Sequence, residues 1–267
     1  VHMIAHMALT MAVPVLLVPG APVTLLMRAV EKRTDESRGL REWVLWAVHT
    51  KYAQFVSHPL VAAILFASSL VVFYFTPIFA SKSNHRYDAS SFEEADPLLG
   101  GDKDLISLRK AASKRSIRLM SDLTTNHCGL GHPWIQKALQ NKQSDTREFF
   151  YWTKKSKWGY VGWWNVESLP KLNFNSQRLR DLMWGSKNSI VQRWLKEPFG
   201  MSGWRIDVGN MTGRYYGDNF NKEIAQSIRG AMDEANPDAW LVAENADFFA
   251  DDLDGFGWHG TMNYNGF

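Results

Sequence analysis

The chain begins with two apolar stretches that contain no Asp, Glu, Lys or Arg. The first runs from about His2 to Met27, and the second runs from about Pro59 to Phe79. An apolar stretch of ~18 or more residues is long enough to cross a bilayer core as a helix. The pattern therefore predicts a transmembrane helical hairpin over residues 1–80. A helix buried in a protein core is the alternative for each stretch.

Charged residues fill the segment between the two stretches. Its basic side chains include Arg28, Lys32, Arg33, Arg38 and Arg41. By the positive-inside tendency this loop faces the cytoplasm, so that residues after Phe79 emerge on the outer side. Trp43, Trp46 and Tyr52 follow the loop at a spacing suited to an interfacial amphipathic helix. We expect a membrane-associated protein if the hairpin forms and a cytoplasmic one otherwise.

After Ser81 the apolar pattern changes to short strands alternating with helices. The pattern predicts helices over Asp102–Lys114 and Asp218–Ala235, and strands over Ile117–Leu123, Gly203–Val208 and Ala239–Ala243. A strand, a helix and a second strand in this order form a βαβ unit with parallel strands. Residues 81–267 are therefore predicted to form an α/β domain of the β/α-barrel type.

Composition and charge narrow the class of protein. The chain is 45% hydrophobic and 21% charged, with 30 Lys and Arg against 27 Asp and Glu. Without a low-complexity tract it is neither disordered nor collagen-like, and its single cysteine, Cys128, excludes a disulfide framework. Because no block of basic residues occurs, we expect no nucleic-acid partner.

Two carboxylates follow the predicted strands of the βαβ unit. Asp207 and Glu244 each stand at the carboxyl end of a strand, which is where β/α barrels place their chemistry. Retaining glycoside hydrolysis uses two carboxyl groups ~5 Å apart, one ionised and one carrying a proton. Arg205 lies on the same side of its strand and would keep Asp207 ionised. Apolar neighbours would raise the pKa of Glu244. The alternative is two surface carboxylates in a barrel of other chemistry.

Five short strings resemble the conserved regions of the α-amylase family, glycoside hydrolase family 13. In chain order they are TPIFASKSNHRYDASSF (76–92), DLTTNH (122–127), LPKLN (169–173), GWRIDVGNM (203–211) and LVAENAD (241–247). Their order and spacing also agree with the family. The LPKLN string is similar to that of cyclomaltodextrinases, neopullulanases and maltogenic amylases, which favour short α-glucans.

This resemblance implies roles for individual residues. Asp207 would be the nucleophile, Glu244 the acid/base and Arg205 the partner of the nucleophile. Asp122 and His127 would bind the sugar at the cleavage site, and Tyr87 would stack beneath it. Asn126 matches a position that ligates a structural calcium ion in many members, and oxygen ligands suit calcium. The implied substrate is an α-glucan oligosaccharide such as a maltodextrin or a cyclodextrin.

Residues 129–187 are too many for a simple loop between barrel strands, so they are expected to form an inserted small domain. The insert is rich in aromatic residues, and flat aromatic rings pack against the apolar faces of sugars. Trp163 and Trp164 are the pair expected to contact substrate, although most of the other aromatic residues belong to the core. Cys128 is expected to be a buried, unreactive thiol.

The first 79 residues resemble a different family. The strings HMALTMAVPVLLVPGAPVTLLMR, RGLREWVLWAVHTKYAQFVSHPLVAAILF and FYFTPIF are similar to bacterial membrane proteins that assemble cytochrome c oxidase and deliver copper. His2 and His6 are four residues apart, so a helix would place both imidazoles on one face as copper ligands. The alternative function is therefore copper delivery, with an incidental carbohydrate-binding half.

The two resemblances compete for one segment. Residues 70–79 would complete the second membrane span in one interpretation and form a barrel strand in the other. A full β/α barrel takes ~250 residues, so the residues after Ala80 leave room for about half. No string matches the later family region that carries the third carboxylate. We therefore expect a fused or truncated glycosidase, weakly active or inactive as this chain, or a relic that binds carbohydrate without cleaving it.

Overall fold

The computed structural model describes residues 29–30, 39–51, 55, 58, 61, 72–245 and 253–262. The chain divides into two compact units, Val1–Ser69 and Leu70–Phe267. The first predicted membrane span, from His2 to Met27, lies outside the described residues.

In the first unit, helix α1 covers Leu40–Val48. Trp43 and Trp46 lie on it with ring centroids 5.7 Å apart, and both are about half exposed. Within the ranges that the structure describes, no helix has both the length and the apolar composition needed to cross a bilayer.

The second unit is built on a parallel sheet. Its strands are β1 (Val72–Phe75), β2 (Arg118–Thr124), β3 (Gly203–Asp207), β4 (Arg214–Tyr215), β5 (Asp218–Asn219), β6 (Trp240–Ala243) and β7 (Gly260–Thr261). Five of them form one sheet in the order β1-β2-β3-β6-β7, and every neighbouring pair is parallel. Strands β4 and β5 form a separate antiparallel hairpin. The β/α class predicted for this unit is therefore confirmed.

Helices connect the parallel strands. They are α2 (Gly101–Ser113), α3 (Pro133–Gln140), α4 (Gln177–Arg180), α5 (Ile190–Arg193) and α6 (Asn221–Ala235), with a π-helical turn at Asp181–Gly185. Short 3-10 turns occur at Pro97–Leu99, Arg147–Phe149, Trp163–Asn165 and Gly209–Met211. Ile224, Ile228 and Met232 recur every four residues along α6 and are all buried, which is the amphipathic pattern that packs a helix onto a sheet.

Aromatic side chains fill the core between the strands and the helices. Phe79 contacts Trp194 and Trp204 at centroid distances of 5.4 and 6.2 Å. The buried Trp194 Nε1 donates to the Phe92 carbonyl, and Trp204 Nε1 donates to the Val191 carbonyl, each at 3.1 Å. The indole N–H groups of these two tryptophans thus have acceptors, and the two residues join β3 to α5 and to the loop after β1.

The segment that both resemblances cover, residues 70–79, contains strand β1. Val72 to Phe75 pair in parallel with Arg118 to Ser121 of β2. The prediction that a membrane helix continues to Phe79 is therefore wrong, because these backbone groups face a neighbouring strand instead of bonding along a helix. The division between the compact units falls at Ser69, earlier than the predicted boundary at residue 80.

The long segment between β2 and β3 is tied to the end of β2. It contains α3, α4 and several isolated antiparallel bridges, including Phe150 with Leu172 and Gly162 with Pro170. A further bridge joins Lys171 to His127, and Leu172 N donates to the Asn126 carbonyl at 3.1 Å. These bonds hold the LPKLN segment beside the carboxyl end of β2.

Candidate active site

Polar side chains gather at the carboxyl ends of the parallel strands. Asp122 lies on β2, Arg205 and Asp207 lie on β3, and Glu244 directly follows β6. Tyr87, from the loop after β1, reaches the same place. Because parallel strands end at the same edge of a sheet, the fold brings these residues together as the sequence analysis expected.

Arg205 is the centre of the cluster. Its Nη1 lies 2.7 Å from Asp122 Oδ1 and 3.4 Å from Asp207 Oδ1, and its Nη2 lies 3.1 Å from Glu244 Oε2. Burial alone would lower the pKa of Arg205, but Asp122 and Glu244 beside it raise that pKa overall. The guanidinium is therefore charged at every working pH, and three carboxyl groups share it.

Asp122 is fully buried and has three donors around it. Besides Arg205, it accepts hydrogen bonds from the phenols of Tyr87, at 2.9 Å, and of Tyr74. Burial raises the pKa of Asp122, while Arg205 and the two phenols oppose that rise. Burial and the neighbouring Asp122 also raise the pKa of Tyr74 and of Tyr87, so both phenols remain donors.

The ionisation of Asp207 depends on other groups besides Arg205. Burial raises the pKa of Asp207 well above its usual range, and Glu244 and Asp122 raise it further, with Arg205 opposing. Arg205 lies nearer to Asp122 than to Asp207, so it does not by itself keep Asp207 ionised. The alternation of one strand reveals Arg205 but not the other carboxylates that compete for it.

Glu244 is held by donors rather than by apolar groups. Its Oε2 accepts from the Val208 backbone N–H at 2.9 Å and from Arg205. Its carboxyl group is also hydrogen-bonded to that of Asp207, closer than the ~5 Å typical of a retaining pair with substrate between the two groups. Two ionised carboxylates this close repel each other, which is one reason why Glu244 raises the pKa of Asp207.

His127 is buried and neutral. Burial, with a smaller effect of Lys171, lowers the pKa of His127 to about 3. Its Nδ1 lies 3.2 Å from Asn126 Nδ2, whereas its Nε2 makes no hydrogen bond of normal geometry within the part of the chain that is described. A buried polar atom without a partner is costly, so a ligand hydroxyl would stabilise this site.

Asn126 does not present a calcium site. Its Oδ1 accepts a hydrogen bond from Lys171 Nζ, so the oxygen that would ligate the metal already contacts an ammonium. Nor do the described ranges contain three or more His, Cys, Asp or Glu side chains placed to share a metal ion. These residues do not fit calcium at Asn126, and no step of the chemistry below uses it.

Trp163 and Trp164 line a cavity of about 310 Å³ beside the cluster. Their rings are stacked at 5.5 Å, and Trp164 is 68% exposed. Tyr215 and Tyr216 on the β4–β5 hairpin form another part of the wall, and Met211 and Lys171 complete it. Within the described ranges, the predicted tryptophan pair therefore lines an aromatic cavity whose wall includes none of the three carboxylates.

Two residues of the site, Tyr74 and Lys171, are not among those that the sequence predicts. Tyr74 lies within an apolar string that fits a membrane span as well as a barrel strand, so no role in the site is predicted for it. Lys171 lies within the LPKLN string, but no role is predicted for it. His2 and His6, the predicted copper ligands, lie outside the described residues. Cys128 is buried and burial raises the pKa of its thiol, so it is unreactive as expected.

Parallel strands whose carboxyl ends carry interacting carboxylates and a guanidinium are typical of β/α-barrel enzymes. Residues 69–252 match the family model described as alpha amylase, catalytic domain. The chain therefore belongs to the α-amylase catalytic-domain family. Residues 1–89 match a second model, the cytochrome c oxidase caa3 assembly factor, which overlaps the first.

Individual relatives agree with this family. The chain is 35% identical over 132 residues to alpha-amylase 2 of Dictyoglomus thermophilum, covering 49% of this chain and 22% of that protein. It is 29% identical over 178 residues to a cyclomaltodextrinase of Geobacillus thermopakistaniensis, covering 64% and 28% of the two chains. The type III pullulan hydrolase of Thermococcus kodakarensis superposes with a TM-score of 0.67 at 30% identity, covering 76% and 34%. The chain thus spans well under half of these relatives.

Proposed function

We propose that residues 70–267 form the part of a retaining glycosidase that carries its nucleophile and its acid/base, and that it acts on α-glucosidic bonds of maltodextrins or cyclodextrins. The observation that carries this proposal is the pair Asp207 and Glu244, which lie at the strand ends and both contact the Arg205 guanidinium. The names of the relatives, a cyclomaltodextrinase and a pullulan hydrolase, support short α-glucans as substrate.

The chemistry assigns one step to each carboxyl group. An Asp207 oxygen bonds to C1 of the glucosyl unit while the bond from C1 to the glycosidic oxygen breaks, and Glu244 gives that oxygen its proton. Glu244 then takes a proton from water, whose oxygen bonds to C1 and releases Asp207. A sugar between the two carboxyl groups separates them and removes the repulsion that raises the pKa of Asp207, so the proton stays on Glu244.

Other residues hold the sugar. His127 Nε2 makes no hydrogen bond of normal geometry within the described residues and can donate to a hydroxyl group, and Asp122 is an acceptor fixed by Tyr74 and Tyr87. The stacked Trp163 and Trp164 offer flat faces for a neighbouring glucosyl unit. This combination of a buried polar site and an aromatic cavity suits a chain of several glucose units.

Covalent trapping tests the assignment. We expect α-glucosyl fluoride to transfer one glucosyl unit to the protein with loss of fluoride, and mass spectrometry of peptides to locate it on Asp207. The adduct should accumulate in Glu244→Gln, because its hydrolysis needs the general base, and should be absent from Asp207→Asn. Glu94→Gln, an exposed glutamate, is the matched control and should behave as the native chain.

A label on another carboxyl group, or the same label in Asp207→Asn, would contradict these roles. So would native protein and Glu244→Gln that bind maltotriose but form no adduct.

For the first unit we propose copper binding, as the match of residues 1–89 to the assembly-factor model suggests. His2 and His6 would supply the ligands. We expect a copper titration of the whole chain to lose one binding event in His2→Ala/His6→Ala, with His49→Ala as the control. Equal binding by native and double-variant chains would exclude these ligands.

A further inference from the structure

We propose that the ammonium group of Lys171 takes the place of a structural metal ion at the junction of the insert with the strand ends, and that through Asn126 it fixes the tautomer of His127. The proposal stands on contacts of described residues and is independent of which substrate the site cleaves.

The ammonium joins three separate segments. Nζ donates to Asn126 Oδ1 in the loop after β2 and to the Met211 carbonyl in the loop after β3, the latter at 3.2 Å. It also lies 5.5 Å from the centroid of the Trp163 ring in the insert. Two neutral oxygens and an aromatic face around one positive charge are the surroundings that a bound cation would have.

The charge is buried and held in place by the backbone. Lys171 is 3% exposed, and no ion pair of Lys171 occurs within the described ranges. Hydrogen bonds from Cys128 N to the Pro170 carbonyl at 3.2 Å, and from Leu172 N to the Asn126 carbonyl, fix the lysine on both sides. A divalent ion at Asn126 would lie against this ammonium and would lack the Asn126 oxygen.

The same contact orients the Asn126 amide. An ammonium only donates, so the atom that it contacts must be the amide oxygen, and the amide NH₂ then faces His127 Nδ1 at 3.2 Å. Nδ1 of the neutral imidazole is therefore the acceptor, and the ring proton is on Nε2. Lys171 thus acts as a positioning residue that leaves the one donor of His127 on Nε2.

Two measurements on the full chain test the proposal. In the native protein, long-range ¹H–¹⁵N spectra should show His127 protonated at Nε2, and the melting temperature should be equal in calcium and in EDTA. Lys171→Met, which keeps the stem and removes the charge, should lower the melting temperature by about 5 °C or more and shift His127 toward the Nδ1-protonated form. Lys154→Met, an exposed lysine of the same insert, should change neither.

Lys171→Asp supplies the complementary test. It replaces the ammonium with a carboxylate beside the Asn126 and Met211 oxygens, so its melting temperature should rise in calcium relative to EDTA. The proposal is overturned if the native chain is stabilised by calcium, if native His127 is protonated at Nδ1, or if Lys171→Met leaves the tautomer unchanged. The first two results concern the native chain, so they test the proposal even if neither variant folds.

Discussion

At the scale of single residues, the main feature of the site is that three carboxyl groups contact one guanidinium. One buried guanidinium faces Asp122, Asp207 and Glu244, and two of these groups are themselves hydrogen-bonded. Three negative charges around one positive charge leave a net repulsion among the carboxylates. Protonation of one carboxyl group relieves that repulsion. The ionisation of Asp207 therefore depends on Glu244 more than on the arginine two residues before it.

This dependence predicts the effect of neutralising Glu244. Glu244→Gln removes a charge that raises the pKa of Asp207, so we expect that pKa to fall. Carboxyl ¹³C NMR titration of aspartate-labelled protein would measure it. Glu94→Gln should leave the titration of Asp207 unchanged. An unchanged or higher pKa of Asp207 in Glu244→Gln would show that Glu244 does not raise it.

Tyr74 gives a second prediction at this scale. Tyr74→Phe removes one of the donors to the fully buried Asp122, so the free energy of unfolding should fall by about 1–3 kcal/mol. Tyr87→Phe should have a similar effect, whereas Tyr216→Phe, whose residue is 84% exposed, should have none. Urea denaturation compares the three variants. Equal stability of Tyr74→Phe and Tyr216→Phe would show that the Tyr74 bond contributes nothing.

Short motifs predicted most residues of the cluster, because each motif stands at a strand end and strand ends meet. Asp207 and Glu244 followed from that rule, Arg205 followed from the alternation of its strand, and Asp122 followed from the resemblance of the DLTTNH string. The protonation of Asp207 did not follow from the sequence, since it depends on distances between strands far apart along the chain. Tyr74 was hidden because its apolar neighbours fit a membrane helix as well as a buried strand.

At the scale of elements, local pattern predicted β2, β3, β6, α2 and α6 to within a few residues. The strand predicted over Ile117–Leu123 is Arg118–Thr124, and the strand predicted over Gly203–Val208 ends at Asp207. Helix α6 begins at Asn221 rather than at Asp218, because Asp218 and Asn219 pair with Tyr215 and Arg214 in the hairpin. Such tertiary pairing overrides the apolar periodicity that continues through the turn.

The contact between β3 and β6 yields a prediction about glycine. A Cβ atom on Gly203 would lie 2.2 Å from the Trp240 carbonyl oxygen, so Gly203→Ala must push the two strands apart. We expect a loss of about 2 kcal/mol or more in unfolding free energy. Gly230 in α6 has no neighbour within 4 Å of such an atom, and Gly230→Ala should stabilise the protein by up to about 1 kcal/mol. A Gly203→Ala chain as stable as the native one would contradict this strand packing.

At the scale of the whole molecule, two unlike pieces share one chain. The family matches overlap over residues 69–89, and within that overlap the structure forms a strand of the parallel sheet. Residues that pack against other strands take the structure that those strands impose, which no local count of apolar residues reveals. The apolar block before them predicts a membrane hairpin, and most of that block lies outside the described residues.

The buried histidines make the free energy of unfolding depend on pH. Burial lowers the pKa of His127 and of His132 to about 3, so both bind fewer protons in the folded chain than in the unfolded chain. Stability should therefore fall as the pH drops from about 6.5 toward 3, by about 2 kcal/mol per histidine at pH 5.

His132→Asn keeps a side chain able to cap α3 and should remove about half of this acid sensitivity. His85→Asn, at an exposed position, should not change it. Urea denaturation at a series of pH values gives the comparison. A stability profile of His132→Asn parallel to the native profile would mean that His132 carries no such cost.

We propose that the strand-end cluster and the aromatic cavity lined by Trp163 and Trp164 bind an α-glucan. Calorimetric titration of maltotriose into the Glu244→Gln chain, which prevents cleavage, tests this most directly. We expect saturable binding that weakens about tenfold or more in His127→Ala and in Trp163→Ala. Trp240→Ala removes a 43% exposed indole at the opposite ends of the strands and should bind as tightly as the parent. No binding by the parent, or an equal loss in Trp240→Ala, would contradict the account.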